Sequence, residues 1–313
     1  ASAQSLSVGD SGGEPFTVSV SPQYPAPYGK ATLSLLSGSI DLANATMAVS
    51  VGGKKIYGGS VQPVAVALGR AGSVTSVSVT ISSNGASYSQ TLSIRPQDVV
   101  LIAEPVSSTP PLYPGKASVP LEGRVRVVAL ANLGTVGGGA LDPSKLAYTW
   151  TVDDVRIANS SGIGRDAIMV ASPLQYRASD VSVAVTSSDG SLVGGATLSL
   201  AAVEPFVRIY ENDPLLGIRY DRALSNNYVV GGTESTLYAA PFALPPTRGA
   251  PLLTWFLNGA EAQPGNSITL RPSGKGAGSA SLSLVASAGA YATASANLSL
   301  SFGGTSSANF FGL

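Results

Sequence analysis

Apolar and polar residues alternate along most of the chain, in short runs that end at turn residues. The clearest runs are residues 45–53, 146–154 and 252–259, and each closes with a two-residue turn. Alternation with a period of two is typical of a β-strand with one buried face. Val49, Trp150 and Trp255 hold the same place in the three runs, at intervals of about 100 residues. The pattern predicts three repeats, each with a bulky core residue on an equivalent strand.

A second set of turns supports the same repeat. Asn84-Gly85, Asp189-Gly190 and Ala288-Gly289 each lie between two alternating runs, which predicts a closing hairpin in every repeat. No segment has a convincing helical period. We therefore expect an all-β chain of three tandem immunoglobulin-like (PKD-like) β-sandwich modules, with the Trp run as strand C and the closing hairpin as strands F and G.

Proline-containing joints at residues 95–98 and 203–205 predict the module boundaries. The expected division is a flexible arm over 1–14, modules over 15–97, 98–204 and 205–303, and an apolar tail over 304–313. Because the joints are short, we expect fixed angles between modules and an extended rod. Residues 209–250 are interpreted as a long, loop-rich insertion in the third module, where contacts with a ligand are common.

Composition narrows the function. Charged residues make up 12% of the chain, 18 basic against 18 acidic, so nothing attracts nucleic acid. The absence of histidine and cysteine excludes Ser-His-Asp triads, Cys-His pairs and zinc sites built from those residues. No apolar run is long enough to span a membrane. The small residues at positions 1–4 resemble the stretch beside a signal-peptidase cut, which predicts a secreted or cell-surface protein after removal of a signal peptide; the alternative is an arbitrary boundary.

Several segments also resemble a known group. They are residues 95–99, 110–116, 146–150, 161–164, 210–217 and 255–259, which are similar to segments of uncharacterised exported surface proteins of Patescibacteria. The resemblance covers most of the chain from about Val49 onward. Val49 is the position equivalent to Trp150 and Trp255, and the group more often has Trp there. The resemblance implies PKD-like or immunoglobulin-like folds and a surface or secreted setting, and it implies no active site.

Acidic residues are the candidates for chemistry. Asp153, Asp154, Glu211 and Asp213 are candidate calcium ligands, although Asp and Asn are equally typical of turns. Paired carboxylates for glycoside hydrolysis, such as Asp153 with Glu211 or Glu104 with Asp98, have no spacing that favours them. We therefore expect no catalytic residues and no cofactor other than possible calcium. Trp150, Trp255 and Tyr148 are expected in the structural core.

The tail supplies the candidate assembly residues. Phe310, Phe311 and Leu313 follow a polar spacer, and they either dock on the third module or insert into a neighbouring copy. Low net charge also leaves little repulsion between copies. The leading hypothesis is a non-catalytic extracellular subunit that self-assembles into a filament or S-layer-like lattice. The alternatives are a monomeric adhesin for a host surface or glycans and, remotely, a carbohydrate-active enzyme or accessory module.

Overall fold

The computed structural model describes residues 15–231, 233–246, 249–273, 276–289 and 292–303. Within them the chain is almost entirely β-strand, and its two helical segments are single 3₁₀ turns, Pro143–Lys145 and Ala158–Ser160. The predicted all-β class of tandem immunoglobulin-like sandwiches is confirmed. The chain forms two compact units. One comprises Ala1–Ile102, Val127–Ile168 and Asp180–Leu198, and the other comprises Ala103–Arg126, Met169–Ser179 and Ser199–Leu313.

The first module consists of seven strands in two antiparallel sheets. Alternating apolar residues from both sheets form one buried cluster, in which Val49 is fully buried. The sheet orders are β1-β2-β5 and β4-β3-β6-β7. The strands are β1 Thr17–Ser21, β2 Lys30–Leu36, β3 Thr46–Val51, β4 Lys54–Ser60, β5 Val64–Ala67, β6 Thr75–Ser83 and β7 Ala86–Ile94.

The middle module has eight strands. Its sheets have the orders β13-β9-β8 and β11-β10-β14-β15, with β12 also paired to β10. Trp150 on β10 is fully buried, and its Nε1 donates a hydrogen bond to the Arg165 carbonyl at 2.8 Å. Tyr148 lies on the same face and is 1% exposed. The strands are β8 Asp98–Val106, β9 Arg124–Asn132, β10 Ala147–Val152, β11 Val155–Arg156, β12 Gly162–Ile163, β13 Ala167–Ala171, β14 Ala178–Thr186 and β15 Val193–Ala201.

The third module has nine strands, in the orders β17-β16-β19-β22 and β18-β24-β23-β20-β21. Trp255 on β20 is fully buried, and its Nε1 donates to the Gly265 carbonyl at 2.9 Å. The region interpreted as a loop-rich insertion, residues 209–250, instead contains most of four strands, whose alternation is interrupted by prolines and tyrosines. The strands are β16 Phe206–Asp213, β17 Gly217–Ile218, β18 Asn226–Val229, β19 Ser235–Phe242, β20 Leu252–Leu257, β21 Ala260–Pro264, β22 Ser267–Leu270, β23 Gly278–Ala288 and β24 Ala292–Phe302.

The turns explain why the repeat could be recognised. After each of the equivalent strands β3, β10 and β20, both residues of the following turn have positive φ, as at Asp153 (47°) and Asp154 (64°). This left-handed pair matches the twist of a two-residue hairpin. Both residues of the closing turn have positive φ at Asn84-Gly85, whereas only Gly190 of the Asp189-Gly190 pair and only Gly289 of the Ala288-Gly289 pair do. The Asp189 carboxylate instead accepts hydrogen bonds from Ser187 and Ser191, which lower the pKa of Asp189 to about 2.

Candidate binding and assembly surfaces

A groove of about 480 Å³ opens beside the outer strands of the first module. Val18 and Val20 of β1 and Leu92 and Ile94 of β7 supply its apolar lining. β1 and β7 are the end strands of their sheets, so each presents a main-chain edge next to the groove. The other lining residues are Gln23, Tyr24, Pro25, Gln90, Ser93, Arg95, Gln97, Gly190, Ser191, Val193 and Gly194.

Tyr24 holds one side of this groove in place. Its ring lies so close to Gly195 on β15 that a Cβ there would be 2.5 Å from a ring carbon. A glycine is therefore required at that position for the ring to pack against the strand. Burial raises the pKa of the Tyr24 hydroxyl. This groove was not predicted, because its residues come from segments far apart in the sequence.

The last strand of each module forms an edge without charge. β7, β15 and β24 contain no Asp, Glu, Lys, Arg or Pro. β7 and β15 end their sheets, and β24 is covered by β18 only between Leu298 and Ser301. Natural sheets block such edges with Lys, Pro or a bulge, because unpaired main-chain groups can pair with another chain. These strands lack the two blocking residue types, which makes them candidate pairing surfaces.

A second exposed feature is the tip of the β16–β17 hairpin. Leu215 is 93% exposed and Leu216 is 70% exposed. The Asp213 carboxylate accepts hydrogen bonds from the backbone N–H groups of Leu215 (2.7 Å) and Leu216 (2.9 Å). These bonds lower the pKa of Asp213 and fix the turn that carries the two leucines.

A polar cleft of about 580 Å³ lies in the third module. The Tyr228 hydroxyl donates to Glu211 Oε1 at 3.3 Å inside it, and Arg222 also lines it. Glu234 at its rim forms an ion pair with Arg271 at 2.8 Å. Carboxylate, amide, guanidinium and hydroxyl groups of this kind suit a ligand that carries several hydroxyls. The remaining lining residues are Asn212, Pro214, Leu224, Asn227, Val229, Gly231, Ser235 and Thr236.

The tyrosines at the start of the third module pack mainly against one another. Tyr210 is 3% exposed, and its ring meets that of Tyr220 edge-on, with centroids 5.2 Å apart. Tyr238 contacts Tyr220 at 6.4 Å in the same manner. Burial and the neighbouring phenols raise the pKa of Tyr220 to about 12. These rings form a half-buried cluster and provide no flat platform for a sugar.

The calcium candidates have local roles in turns and hydrogen bonds. Asp153 accepts a hydrogen bond from the Asp180 N–H at 2.8 Å, and Asp154 follows it in the β10–β11 turn. Asp213 caps the hairpin tip, while Glu211 accepts from Tyr228. Across the described part of the chain, no three acidic residues are grouped so as to hold a metal ion. Neither pair, taken alone, supplies the six to eight oxygens that calcium requires.

The remaining sequence candidates divide into two groups. Glu104, once considered as half of a carboxylate pair, forms an ion pair with Arg126 at 2.7 Å. Phe310, Phe311 and Leu313 lie outside the described residues. In the described ranges, no helix has the length and apolar character needed to cross a bilayer.

Comparisons with known proteins concern the fold. No protein-family model and no curated protein matches the chain. Among solved structures, the three N-terminal domains of the bacteriophage RB49 outer capsid protein Hoc are 13% identical, covering 92% of this chain and 98% of that one with a TM-score of 0.26. The central fibronectin-III array of RIM-binding protein is 9% identical, covering 88% and 92% with a TM-score of 0.29. Titin domains A168–A170 are 13% identical, covering 91% and 96% with a TM-score of 0.23.

Proposed function

We propose that this chain is a non-catalytic, extracellular structural subunit that self-assembles into a cell-surface filament or an S-layer-like lattice. The observation that carries the proposal is the uncharged, proline-free edge at the end of each module, on β7, β15 and β24. β7 and β15 are each nine residues long, and β24 is not covered by β18 between Ala292 and Asn297. Such edges offer a row of main-chain donors and acceptors to a second copy.

Charge and sequence resemblance support the same function. With 18 basic and 18 acidic residues, two copies approach each other without strong long-range repulsion. The chain also resembles exported surface proteins, for which a repeated non-catalytic module is an expected design.

Lysine substitutions on the edge strands test the proposal. Thr91, Ser199 and Ser295 are exposed positions on β7, β15 and β24, and a lysine at each should obstruct pairing by another strand. Negative-stain electron microscopy of the full chain should show filaments or sheets, and the triple variant should show separate particles. The control is Ser82→Lys, because Ser82 is exposed on β6, which has a strand on both sides. Separate particles from the unaltered chain at high concentration would refute self-assembly.

The tail residues need their own test. In a variant with Phe310, Phe311 and Leu313 all changed to Ser, loss of the polymer would assign the tail to the interface. An unchanged polymer would restrict assembly to the described surfaces.

The polar cleft of the third module favours a second function, a monomeric adhesin. Its tyrosine, carboxylate, amide and guanidinium groups could bind the hydroxyls of a glycan on a host surface. A glycan array tests this function directly. Binding that is lost in an Arg222→Ala variant, by a chain that stays monomeric, would favour the adhesin over the structural subunit.

A further inference from the structure

We propose that the hairpin tip formed by residues 213–217 of one copy inserts Leu215 and Leu216 into the groove between β1 and β7 of a second copy. The inference rests on the proposed self-assembly and names the surfaces that meet. Both surfaces lie in described parts of the chain. The tip belongs to the third module, and the groove is lined by β1 and β7 of the first module together with the β14–β15 hairpin of the middle module.

The tip is built as a rigid apolar projection. Its two leucines have little contact with their own module, since 93% and 70% of their surfaces are exposed. Two backbone hydrogen bonds to Asp213 hold the loop, and Gly217 closes it at a φ of 73°. A preorganised loop loses little conformational freedom on binding, so most of the apolar burial contributes to affinity.

The groove has the matching character. The half-buried side chains of Val18 and Val20 supply its accessible aliphatic surface, while Leu92 and Ile94 are buried and form its floor. The volume of about 480 Å³ accommodates two leucine side chains. Tyr24 packs tightly against β15, so this wall is already formed before any partner arrives. Exposed aliphatic surface on one side and an aliphatic recess on the other would both be removed from water by the contact.

Charge adds direction to the contact. Arg95 is the charged residue among those that line the groove. Asp213 is the charged residue within the tip. Opposite charges placed beside an apolar contact fix its orientation and disfavour incorrect registers.

The occupant is a second copy of this chain, because its tip offers exposed leucines and the negative charge of Asp213 to a groove that carries valines and the positive charge of Arg95. Tip and groove are different patches of the chain. A contact between different patches leaves a free groove on one copy and a free tip on the other. Repetition of such a contact produces an open filament or a ring and does not stop at a dimer. The proposed contact therefore produces a repeated assembly with a defined pair of surfaces. Pairing of the edge strands alone would not define which surfaces meet.

Two single-cysteine proteins test the contact, since the natural chain has no cysteine. One carries Leu216→Cys in the tip and the other carries Ser93→Cys in the groove lining. On mild oxidation, the mixture should give a heterodimeric disulfide at least about tenfold faster than either protein gives a homodimer. The matched control replaces Ser93→Cys with Ser82→Cys on β6, which does not line the groove. Equal rates with both partners would overturn the proposal.

Substitution of the tip provides a second readout. Leu215→Ser with Leu216→Ser should raise the concentration needed for assembly by at least about tenfold. The control pair Leu112→Ser and Tyr176→Ser removes side chains that are at least as exposed as the less exposed tip leucine, at 97% and 90%, and should leave assembly unchanged. Arg95→Glu should weaken assembly, while Arg95→Lys should preserve it.

The two proposals can fail separately. Polymers that persist in the leucine double variant, without the heterodimeric disulfide, would overturn the tip-and-groove contact and leave self-assembly standing. A specific disulfide without any polymer would support the contact and overturn the filament. Separate particles with no preferred disulfide would overturn both.

Discussion

The side-chain amide of Gln97 forms a two-point hydrogen bond with the backbone of Gly134. Gln97 Oε1 accepts from the Gly134 N–H at 2.8 Å, and Gln97 Nε2 donates to the Gly134 carbonyl at 3.3 Å. Gln97 is 4% exposed, although it lies in the joint between the first two modules. The amide thus imitates a strand partner and anchors the joint to the loop that follows β9.

Replacing Gln97 with Leu should destabilise this joint. The substitution keeps a similar volume but leaves the buried N–H and carbonyl of Gly134 without their partner, which costs about 1–3 kcal/mol per buried group. We expect the free energy of unfolding to fall by about 2–3 kcal/mol in urea titrations. Gln62→Leu, at an exposed position, is the control and should change stability by less than about 0.5 kcal/mol. A loss in Gln97→Leu as small as that expected for the control would show that the Gln97 contact is dispensable.

Gly72 and Gly85 form a matched pair for testing the same joint. Both have positive φ, 76° and 79°, so alanine at either position strains the backbone by about 1–2 kcal/mol. At Gly72 a Cβ would also collide with the carbonyl oxygen of Gly134, whereas at Gly85 nothing lies within 4 Å. Gly72→Ala should therefore cost about 1–3 kcal/mol more than Gly85→Ala. Equal losses of stability in thermal unfolding would mean that the loops containing Gly72 and Gly134 can move apart without a cost in free energy.

The fold could be predicted from the sequence because the patterns that indicate it are local. Period-two alternation around Trp150 and Trp255, with a left-handed turn pair after each strand, identifies equivalent strands without long-range information. The Gln97 contact spans 37 residues, so nothing in the local pattern distinguishes it from an ordinary linker glutamine. The tip at Leu215 was predictable only in part. The sequence shows an apolar pair inside a turn, but it does not show that the pair is exposed.

The candidate surfaces were harder to predict from the sequence, because they depend on long-range contacts. The groove combines β1, β7 and the β14–β15 hairpin, which are brought together only by tertiary packing. Tyr210 on β16, which is 3% exposed, shows why burial decides the role of an aromatic residue. An aromatic residue on an alternating strand is predicted equally well for a core and for an exposed face when the neighbouring sheet is unknown.

Tyr220 predicts a specific alkaline response. Its pKa is raised to about 12 in the folded chain, mainly by burial, against an ordinary value of 10.0. The folded state therefore retains this proton where the unfolded state loses it, so its contribution to stability is complete below pH 10 and declines between pH 10 and 12. Tyr220→Phe should lose less stability than the natural chain across that interval in thermal unfolding, and the comparison at pH 7 controls for packing. Identical slopes in the two proteins would contradict the raised pKa.

The two tryptophans allow the modules to be followed separately. The chain contains only two Trp residues, Trp150 in the middle module and Trp255 in the third, so each single Trp→Phe variant leaves one tryptophan whose fluorescence can be excited selectively over that of tyrosine. Each replacement also removes the indole donor to a backbone carbonyl and part of a packed ring. We expect each to lower the free energy of unfolding by about 1–3 kcal/mol.

With these variants as backgrounds, Gln97→Leu becomes a test of how far the joint acts. Gln97, Gly134 and Trp150 belong to one compact unit, whereas Trp255 belongs to the other. Gln97→Leu should therefore lower the urea midpoint reported by Trp150 in the Trp255→Phe background, because it weakens packing within that unit. The midpoint reported by Trp255 in the Trp150→Phe background should move by less than half as much. Equal shifts would mean that the chain unfolds as one cooperative body, in which case the anchored joint stabilises the whole chain.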